Sequence, residues 1–200
     1  MLRVCAIVGV VSALTLASLD ASAQDAEGPS HRGLFTRLAI GFGGAKAVND
    51  GSPEVELSGP AGFFSFDLGG TLAERLVLHG RLSGHGISNP TVSLNGNELG
   101  EADDTSVTFS LLGVGLTYYF PSNWYLTGAV GLAGASFELD GEEYKSETGF
   151  GLAGDVGYEW WVGGDWGLGV AGRVELESVP NDPDRLVGKA LGILFTATYH

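Results

Sequence analysis

Eight segments of this chain alternate a large apolar side chain with a small or polar one. A period of two is that of a β-strand, whose successive side chains point to opposite faces of the sheet. Beyond Arg32 no window has a helical period, and no apolar run approaches the length of a membrane-spanning helix. The sequence therefore predicts an all-β protein with eight strands of roughly ten residues each.

The connections between these segments fall into two length classes. Three are short, at residues 71–75, 121–123 and 162–165, and four are longer, at residues 44–58, 86–106, 138–148 and 177–188. An even number of strands with short turns at one end and long loops at the other is typical of bacterial outer-membrane barrels. We predict an eight-stranded antiparallel up-and-down transmembrane β-barrel with short periplasmic turns and longer extracellular loops.

Aromatic residues collect beside the short turns. All four tryptophans lie next to two of these turns, and aromatic rings favour the boundary between membrane and water. A soluble barrel of the lipocalin kind is the alternative, but it would place the apolar face inside and explains neither the tryptophans nor the loop lengths. The predicted aromatic girdle consists of Tyr118, Phe120, Trp124, Tyr158, Trp160 and Trp166.

The last segment carries a family resemblance. Residues 191–200, LGILFTATYH, resemble the closing strand of the OmpA/OmpX-type eight-stranded outer-membrane β-barrel family, and the resemblance extends over residues 34–200. It implies that the barrel-assembly machinery reads this strand during biogenesis, and that His200 follows the position where family members commonly end in Phe. The implied assembly signal is Leu191, Ile193, Phe195 and Tyr199.

The first residues have the layout of a secretory signal peptide. Arg3 precedes an apolar stretch, and Ala21-Ser22-Ala23 supplies small residues before a cleavage point. Cleavage after residue 23 leaves 177 of the 200 residues and removes Cys5, the only cysteine. The predicted organisation is a signal peptide at residues 1–23, a short periplasmic tail at 24–32 and a barrel domain at 33–200, located in the outer membrane of a Gram-negative cell envelope.

The lumen of an eight-stranded barrel is only wide enough for side chains to fill. We expect Asp67 to lie opposite His79 with Arg81 as a diagonal neighbour, and Asp155 to lie opposite Arg173, because a buried charge without a partner is costly. A narrow small-solute channel through these groups is the alternative. The predicted lumen network is Arg37, Asp67, His79, Arg81, Asp155, Glu159, Arg173 and Glu175.

The formal charge of −14 argues against nucleic-acid binding, which depends on Lys and Arg. The four long connections hold 15 acidic residues against Lys46, Lys145 and Arg185, whereas the predicted lumen holds three arginines and four carboxylates. These loops could bind a divalent cation or a partner, or remain solvated.

No cofactor is expected, because no HExxH, EF-hand or phosphate-binding glycine loop is present. Lys189 is placed to meet lipopolysaccharide phosphate or solvent.

These observations favour a structural or surface-interaction role: envelope integrity, adhesion or contact with lipopolysaccharide and outer-membrane lipid. A lipid A-modifying enzyme is the catalytic alternative, because His85, Ser88 and Asn89 place a base near a serine. In an extended strand, however, the His-x-x-Ser spacing puts these two side chains on opposite faces. We therefore predict no catalytic residues.

Overall fold

The computed structural model describes residues 33–139, 142–181 and 184–200. The predicted signal peptide and periplasmic tail lie outside these ranges. No helix long and apolar enough to cross a membrane occurs within them. The strands are β1 (Leu34–Asn49), β2 (Val55–Ala73), β3 (Leu76–Ser88), β4 (Thr91–Leu94), β5 (Asn97–Glu101), β6 (Thr105–Tyr119), β7 (Trp124–Leu139), β8 (Glu142–Lys145), β9 (Gly149–Gly163), β10 (Trp166–Asn181) and β11 (Asp184–Tyr199).

Eight of these strands close into a barrel. Each pairs antiparallel with its neighbours in the order β1, β2, β3, β6, β7, β9, β10, β11, and β11 then pairs with β1 from Thr36↔Tyr199 to Asn49↔Leu186. Closure leaves every barrel strand with two partners, as a sheet without free edges requires. The prediction of an eight-stranded antiparallel up-and-down barrel is confirmed.

The two faces of the barrel follow the alternation in the sequence. Ile40 and Phe42 point outward and are 59% and 62% exposed, whereas Arg37, on the opposite face of the same strand, is 1% exposed. Close strand contact requires glycine at some inward positions. A Cβ on Gly113 would lie only 2.1 Å from the carbonyl oxygen of Val130 on the next strand.

The predicted long loops are largely hydrogen-bonded strand, which corrects the sequence analysis. β1 continues to Asn49 and β2 starts at Val55, so the first connection is residues 50–54 rather than 44–58. β10 and β11 remain paired to Asn181↔Asp184, within the predicted loop 177–188. Pairing continues there because backbone hydrogen bonds do not need outward apolar side chains, which only the lipid-facing part of a strand requires.

The other two long connections contain short strands of their own. β4 and β5 form a hairpin between β3 and β6, and β4 pairs with the start of β2 through Val55↔Leu94. β8 pairs with the end of β7 through Ser136↔Lys145. These additions extend the sheet at one end of the barrel, which we call the loop end. The other end, where residues 74–75, 120–123 and 164–165 connect the strands, is the turn end.

Apolar side chains close the lumen at both ends. The turn end contains a cluster of Phe35, Val77, Tyr119, Tyr125 and Ala171. Because the members of a second cluster all lie near the loop-end termini of their strands, this cluster closes the loop end, and we call it the apolar cap. The apolar cap consists of Ala47, Val107, Phe109, Ala133, Ala135, Val179 and Leu186.

Candidate functional site

Polar side chains form three layers along the lumen, and they share the interior with a further apolar cluster that consists of Ala39, Ala45, Ala61, Phe63, Ile87, Ala190 and Leu194. The turn-end layer is built around Arg37. Its Nε donates to Oγ1 of Thr198 at 3.1 Å, its Nη2 donates to the hydroxyl of Tyr119, and Nη2 also lies 3.4 Å from Oε2 of Glu159. The guanidinium lies 4.0 Å from the ring centre of Tyr125, in cation–π geometry. The layer pairs its one arginine with one carboxylate.

His200 belongs to this turn-end layer. Its Nε2 lies 2.6 Å from Oε1 of Glu159, and its ring packs 4.8 Å from that of Trp161 and 5.4 Å from that of Tyr119. The residue that departs from the family's usual final aromatic therefore takes part in filling the lumen. Trp161 packs against His200. The other three tryptophans lie on the outer surface.

The middle layer is a quartet of two arginines and two aspartates. Arg81 donates from Nε and Nη2 to the carboxylate of Asp67, at 2.7 and 2.8 Å, and from Nη2 to Oδ2 of Asp155 at 2.7 Å. Arg173 donates from Nε to Asp155 at 2.6 Å and from Nη2 to Ser65 at 2.9 Å. All four charged groups are buried, and their formal charges cancel.

The expected position of Asp67 opposite His79 is wrong. The β2–β3 ladder pairs Asp67 with Arg81 and Gly69 with His79. The predicted turn at residues 71–75 would pair Gly70 with Leu76 and therefore Asp67 with His79. Instead β2 continues to Ala73, and the shorter turn together with a one-residue register shift between Thr71 and Ala73 moves the partner of Asp67 by two positions. His79 instead lies 3.1 Å from the hydroxyl of Thr117 and 3.7 Å from Asp67. Asp155 and Arg173 do lie opposite each other in the β9–β10 ladder.

The loop-end layer contains His85, Glu175 and Glu177, which are 2%, 0% and 3% exposed. Nδ1 of His85 lies 2.9 Å from Oε2 of Glu175 and 3.7 Å from Oε1 of Glu177. The sequence analysis assigned Glu177 to a loop, although it shares the inward parity of Arg173 and Glu175. With Glu177 inside, the lumen holds three arginines and five carboxylates, a formal charge of −2 before any charge on histidine.

Each of the three layers contains at least one contact that crosses the lumen between strands that are not neighbours. His85 on β3 and Glu175 on β10 are four strands apart in either direction around the barrel, so their contact spans its diameter. Arg81 reaches from β3 to Asp155 on β9, three strands away. Arg37 likewise reaches from β1 to Tyr119 on β6. The interior is therefore bridged at each of the three levels.

The side chains of the catalytic alternative are not brought together. His85 is buried in the lumen, and its ring stacks on that of Phe109 at 5.2 Å. Ser88 is exposed at the end of β3 and has the opposite parity. Asn89 follows the strand with a φ of 50°, in a turn conformation. The imidazole is therefore aimed away from the serine it would have to activate.

The predicted girdle residues pack against one another in three groups near the turn end. Trp124 and Trp160 each pack edge-on against Tyr158, with ring centres 5.4 and 5.0 Å apart. Tyr118 and Phe120 form another edge-on pair at 5.0 Å, and Trp166 packs on Tyr199 of the implied assembly signal at 5.5 Å. Leu191, Ile193 and Phe195, the rest of that signal, point outward from β11.

Two lysines face outward at the loop end of the barrel wall. Lys46 on β1 and Lys189 on β11 are direct partners in the ladder. They border a groove of about 430 Å³ on the outer surface, whose apolar side includes Leu176 and Leu191. Lys46 also forms an exposed ion pair of 2.7 Å with Glu56. The pair of lysines thus lies next to the apolar band of the outer surface.

Comparisons with known proteins were made for both the sequence and the structure. No curated protein sequence matches the chain. Among solved structures, Neisserial surface protein A is 19% identical with a TM-score of 0.49, covering 81% of this chain and 97% of that one. OprG of Pseudomonas aeruginosa is 14% identical with a TM-score of 0.43, covering 86% and 98%. Ail of Yersinia pestis is 13% identical with a TM-score of 0.42, covering 81% and 97%.

The family model described as an outer membrane protein beta-barrel domain matches residues 10–182. This range covers most of the chain and seven of the eight barrel strands. Membership places the barrel in the outer membrane. The chain belongs to the outer membrane protein β-barrel family.

Proposed function

We propose that this protein is a structural outer-membrane barrel that does not conduct solutes and that meets its partners at its outer surface and loop end. The observation that carries the proposal is the bridging of the lumen at three levels, by Arg37, by the middle quartet and by His85. Side chains that are hydrogen-bonded across the lumen leave no aligned path for water or ions. The apolar cap adds a dry barrier at the loop end.

A planar-bilayer recording tests the closed lumen. The refolded protein is expected to give no regular conductance steps under conditions in which a known porin, inserted in the same membrane, conducts. A liposome-swelling assay with small sugars should agree. Regular steps of uniform size that scale with the amount of barrel inserted would refute the proposal and support the narrow-channel alternative.

Lipopolysaccharide is the partner that a specific observation favours. Lys46 and Lys189 lie side by side on the outer wall, next to the leucines that border their groove. Lipid A carries phosphates above its acyl chains, and basic side chains at the membrane boundary attract such headgroups. Two adjacent ammonium groups beside an apolar groove suit that combination of phosphate and acyl chain.

Binding to vesicles that contain lipopolysaccharide tests this contact. The K46A/K189A double variant is expected to retain less lipopolysaccharide through purification than the wild type, with a difference that shrinks at high salt because the attraction is electrostatic. Lys145→Ala, in β8 of a loop-end connection, is the matched control. Equal retention by the double variant and the wild type would contradict the contact.

The acidic loop end points to a further class of partner. With Glu177 in the lumen, the four predicted loop segments retain 14 acidic residues against three basic ones. A surface of this charge favours basic partners or cations, in keeping with the predicted adhesion or envelope role. A lipid A-modifying activity is not part of the proposal, because His85 and Ser88 lie on opposite faces of β3.

A further inference from the structure

The loop-end layer differs from the other two layers of the lumen in how its charge is balanced. The turn-end layer pairs Arg37 with Glu159, and the middle quartet balances two arginines with two aspartates. In the loop-end layer, His85 is the only basic group within ion-pair distance of Glu177 in the part of the chain that the structure describes. Both excess carboxylates of the lumen therefore meet at one imidazole.

Arg173 does not supply the missing charge. Its Nη1 approaches Oε1 of Glu175 only to 3.6 Å, whereas its Nε and Nη2 donate to Asp155 at 2.6 and 3.0 Å. Its charge is thus already matched within the middle quartet. Two buried carboxylates without a cation of their own are strongly unfavourable unless they gain a proton or a bound cation.

The donor atoms of this layer are placed for a shared ion. One nitrogen or oxygen from each of His85, Glu175 and Glu177 lies within 4.8 Å of the others. Tetrahedral ligands at about 2.1 Å from Zn²⁺ are about 3.4 Å apart, and the two contacts to Nδ1 of His85, 2.9 and 3.7 Å, bracket that value. An ion at their centre would replace the direct contact between His85 and Glu175.

The same three side chains also carry buried polar atoms that have no partner. Oε1 of Glu175, Oε2 of Glu177 and Nε2 of His85 are all buried without a hydrogen-bond partner within the described ranges. Buried polar atoms are normally satisfied. Nη1 of each lumen arginine is unpartnered as well. In the loop-end layer, however, the free atoms include a second oxygen on each glutamate, and a carboxylate can bind a cation through one or both of its oxygens.

Glycines on the neighbouring strands leave room for the side chain of Glu177 in the loop-end layer. A Cβ on Gly188 would lie 2.9 Å from Oε2 of Glu177, and a Cβ on Gly151 would lie 3.3 Å from its Cγ. The rings of Phe63 and Phe109 lie on His85, 5.7 and 5.2 Å from it, and restrict the space left for water. The site is therefore small, acidic and largely dry.

We propose that His85, Glu175 and Glu177 form a binding site for one divalent first-row transition metal ion, of which Zn²⁺ is the probe. Imidazole nitrogen with carboxylate oxygen suits zinc, iron and manganese, whereas calcium requires six to eight oxygen ligands. A dry layer with two carboxylates cannot provide that number. Three protein ligands leave one tetrahedral position for water, and the ion neutralises both excess carboxylates.

Metal content measured after refolding tests this site. Protein without a histidine tag is refolded with Zn²⁺ present, because the apolar cap restricts later entry, and is then desalted and analysed by mass spectrometry for bound metal. Heat-modifiable gel migration confirms folding of each variant. We expect about one zinc per wild-type barrel, resistant to excess Ca²⁺, and a visible ligand-field spectrum when Co²⁺ replaces zinc.

Two variants and a matched control locate the ion. Removing a ligand should weaken binding at least about tenfold, the lower limit for losing even a supporting group of a metal site. His85→Ala and the near-isosteric Glu177→Gln should therefore lose zinc, while His79→Ala, another lumen histidine outside the cluster, should keep it. Wild-type barrel without zinc would overturn the proposal in favour of bound protons. Zinc that persists in both ligand variants would also overturn it.

Discussion

The middle quartet makes a quantitative prediction about the stability of the barrel. Asp155 accepts hydrogen bonds from both Arg81 and Arg173, so Asp155→Asn removes one negative charge from a buried group of four. Arg81 keeps its two bonds to Asp67. The loss therefore falls mainly on Arg173, which retains Ser65 as a hydrogen-bond partner and an unbalanced charge.

Breaking a buried ion pair by removing one partner costs about 3–5 kcal/mol, because the remaining charge stays buried. The amide oxygen of asparagine can still accept one hydrogen bond, which places Asp155→Asn near the lower limit, at about 3 kcal/mol. Glu56→Gln breaks the partly exposed pair with Lys46 and serves as the control. It should cost less than about 1 kcal/mol. Urea unfolding in lipid vesicles, followed by tryptophan fluorescence, measures the free energy of unfolding of both variants.

A double variant separates charge imbalance from loss of packing. Asp155→Asn combined with Arg173→Met removes both charges and leaves the balanced pair of Arg81 and Asp67. The double variant should recover most of the stability lost in Asp155→Asn, which a double-mutant cycle detects as a coupling energy. If Asp155→Asn costs no more than the Glu56→Gln control, the lumen is hydrated and the reasoning from a dry, bridged interior is refuted.

Two further predictions follow from the barrel wall. Gly113→Ala should destabilise the barrel by about 1–3 kcal/mol, because its Cβ would meet the backbone of Val130, whereas Gly172→Ala, with no atom within 4 Å, should be nearly neutral. Equal unfolding midpoints for the two variants would contradict this. Nitroxide-labelled lipids should quench tryptophan fluorescence more strongly when the label is at the headgroup than at the chain end, with an unquenched fraction from Trp161. Stronger quenching by the label at the chain end would contradict a girdle at the boundary between membrane and water.

The period of two was sufficient to predict the strands and the face of each residue, because lipid requires apolar side chains outside and a narrow lumen requires small or polar ones inside. Parity alone places three arginines on the inward face, and all three are buried there: Arg37, Arg81 and Arg173. Register depends on finer detail. The partner of Asp67 is Arg81 rather than His79 because β2 continues to Ala73 and the pairing is irregular beside Thr71. The sequence pattern reveals neither the length of the turn nor where a ladder takes up an extra residue.

The ends of the strands could not be read from alternation. Above the lipid-facing band an outward residue can be polar, so the pattern fades while the hydrogen-bond ladder continues, as it does from Leu186 to Lys189 against β1. The same effect led Glu177 to be counted with a loop. Its parity relative to Glu175 was the available signal. His85 could be placed on the inward face of β3, but its contact with β10 depends on barrel closure.

The three layers of the lumen cannot all be explained by filling. Arginines and carboxylates in the first two layers balance each other's charge, so packing and charge balance account for them. Two adjacent carboxylates are a poor filler, since glutamine would occupy the same volume without repulsion. The loop-end layer therefore requires a cause other than packing, and a bound cation supplies one. A zinc-free wild-type barrel would remove that cause without opening the lumen, so the closed barrel and the metal site can fail separately.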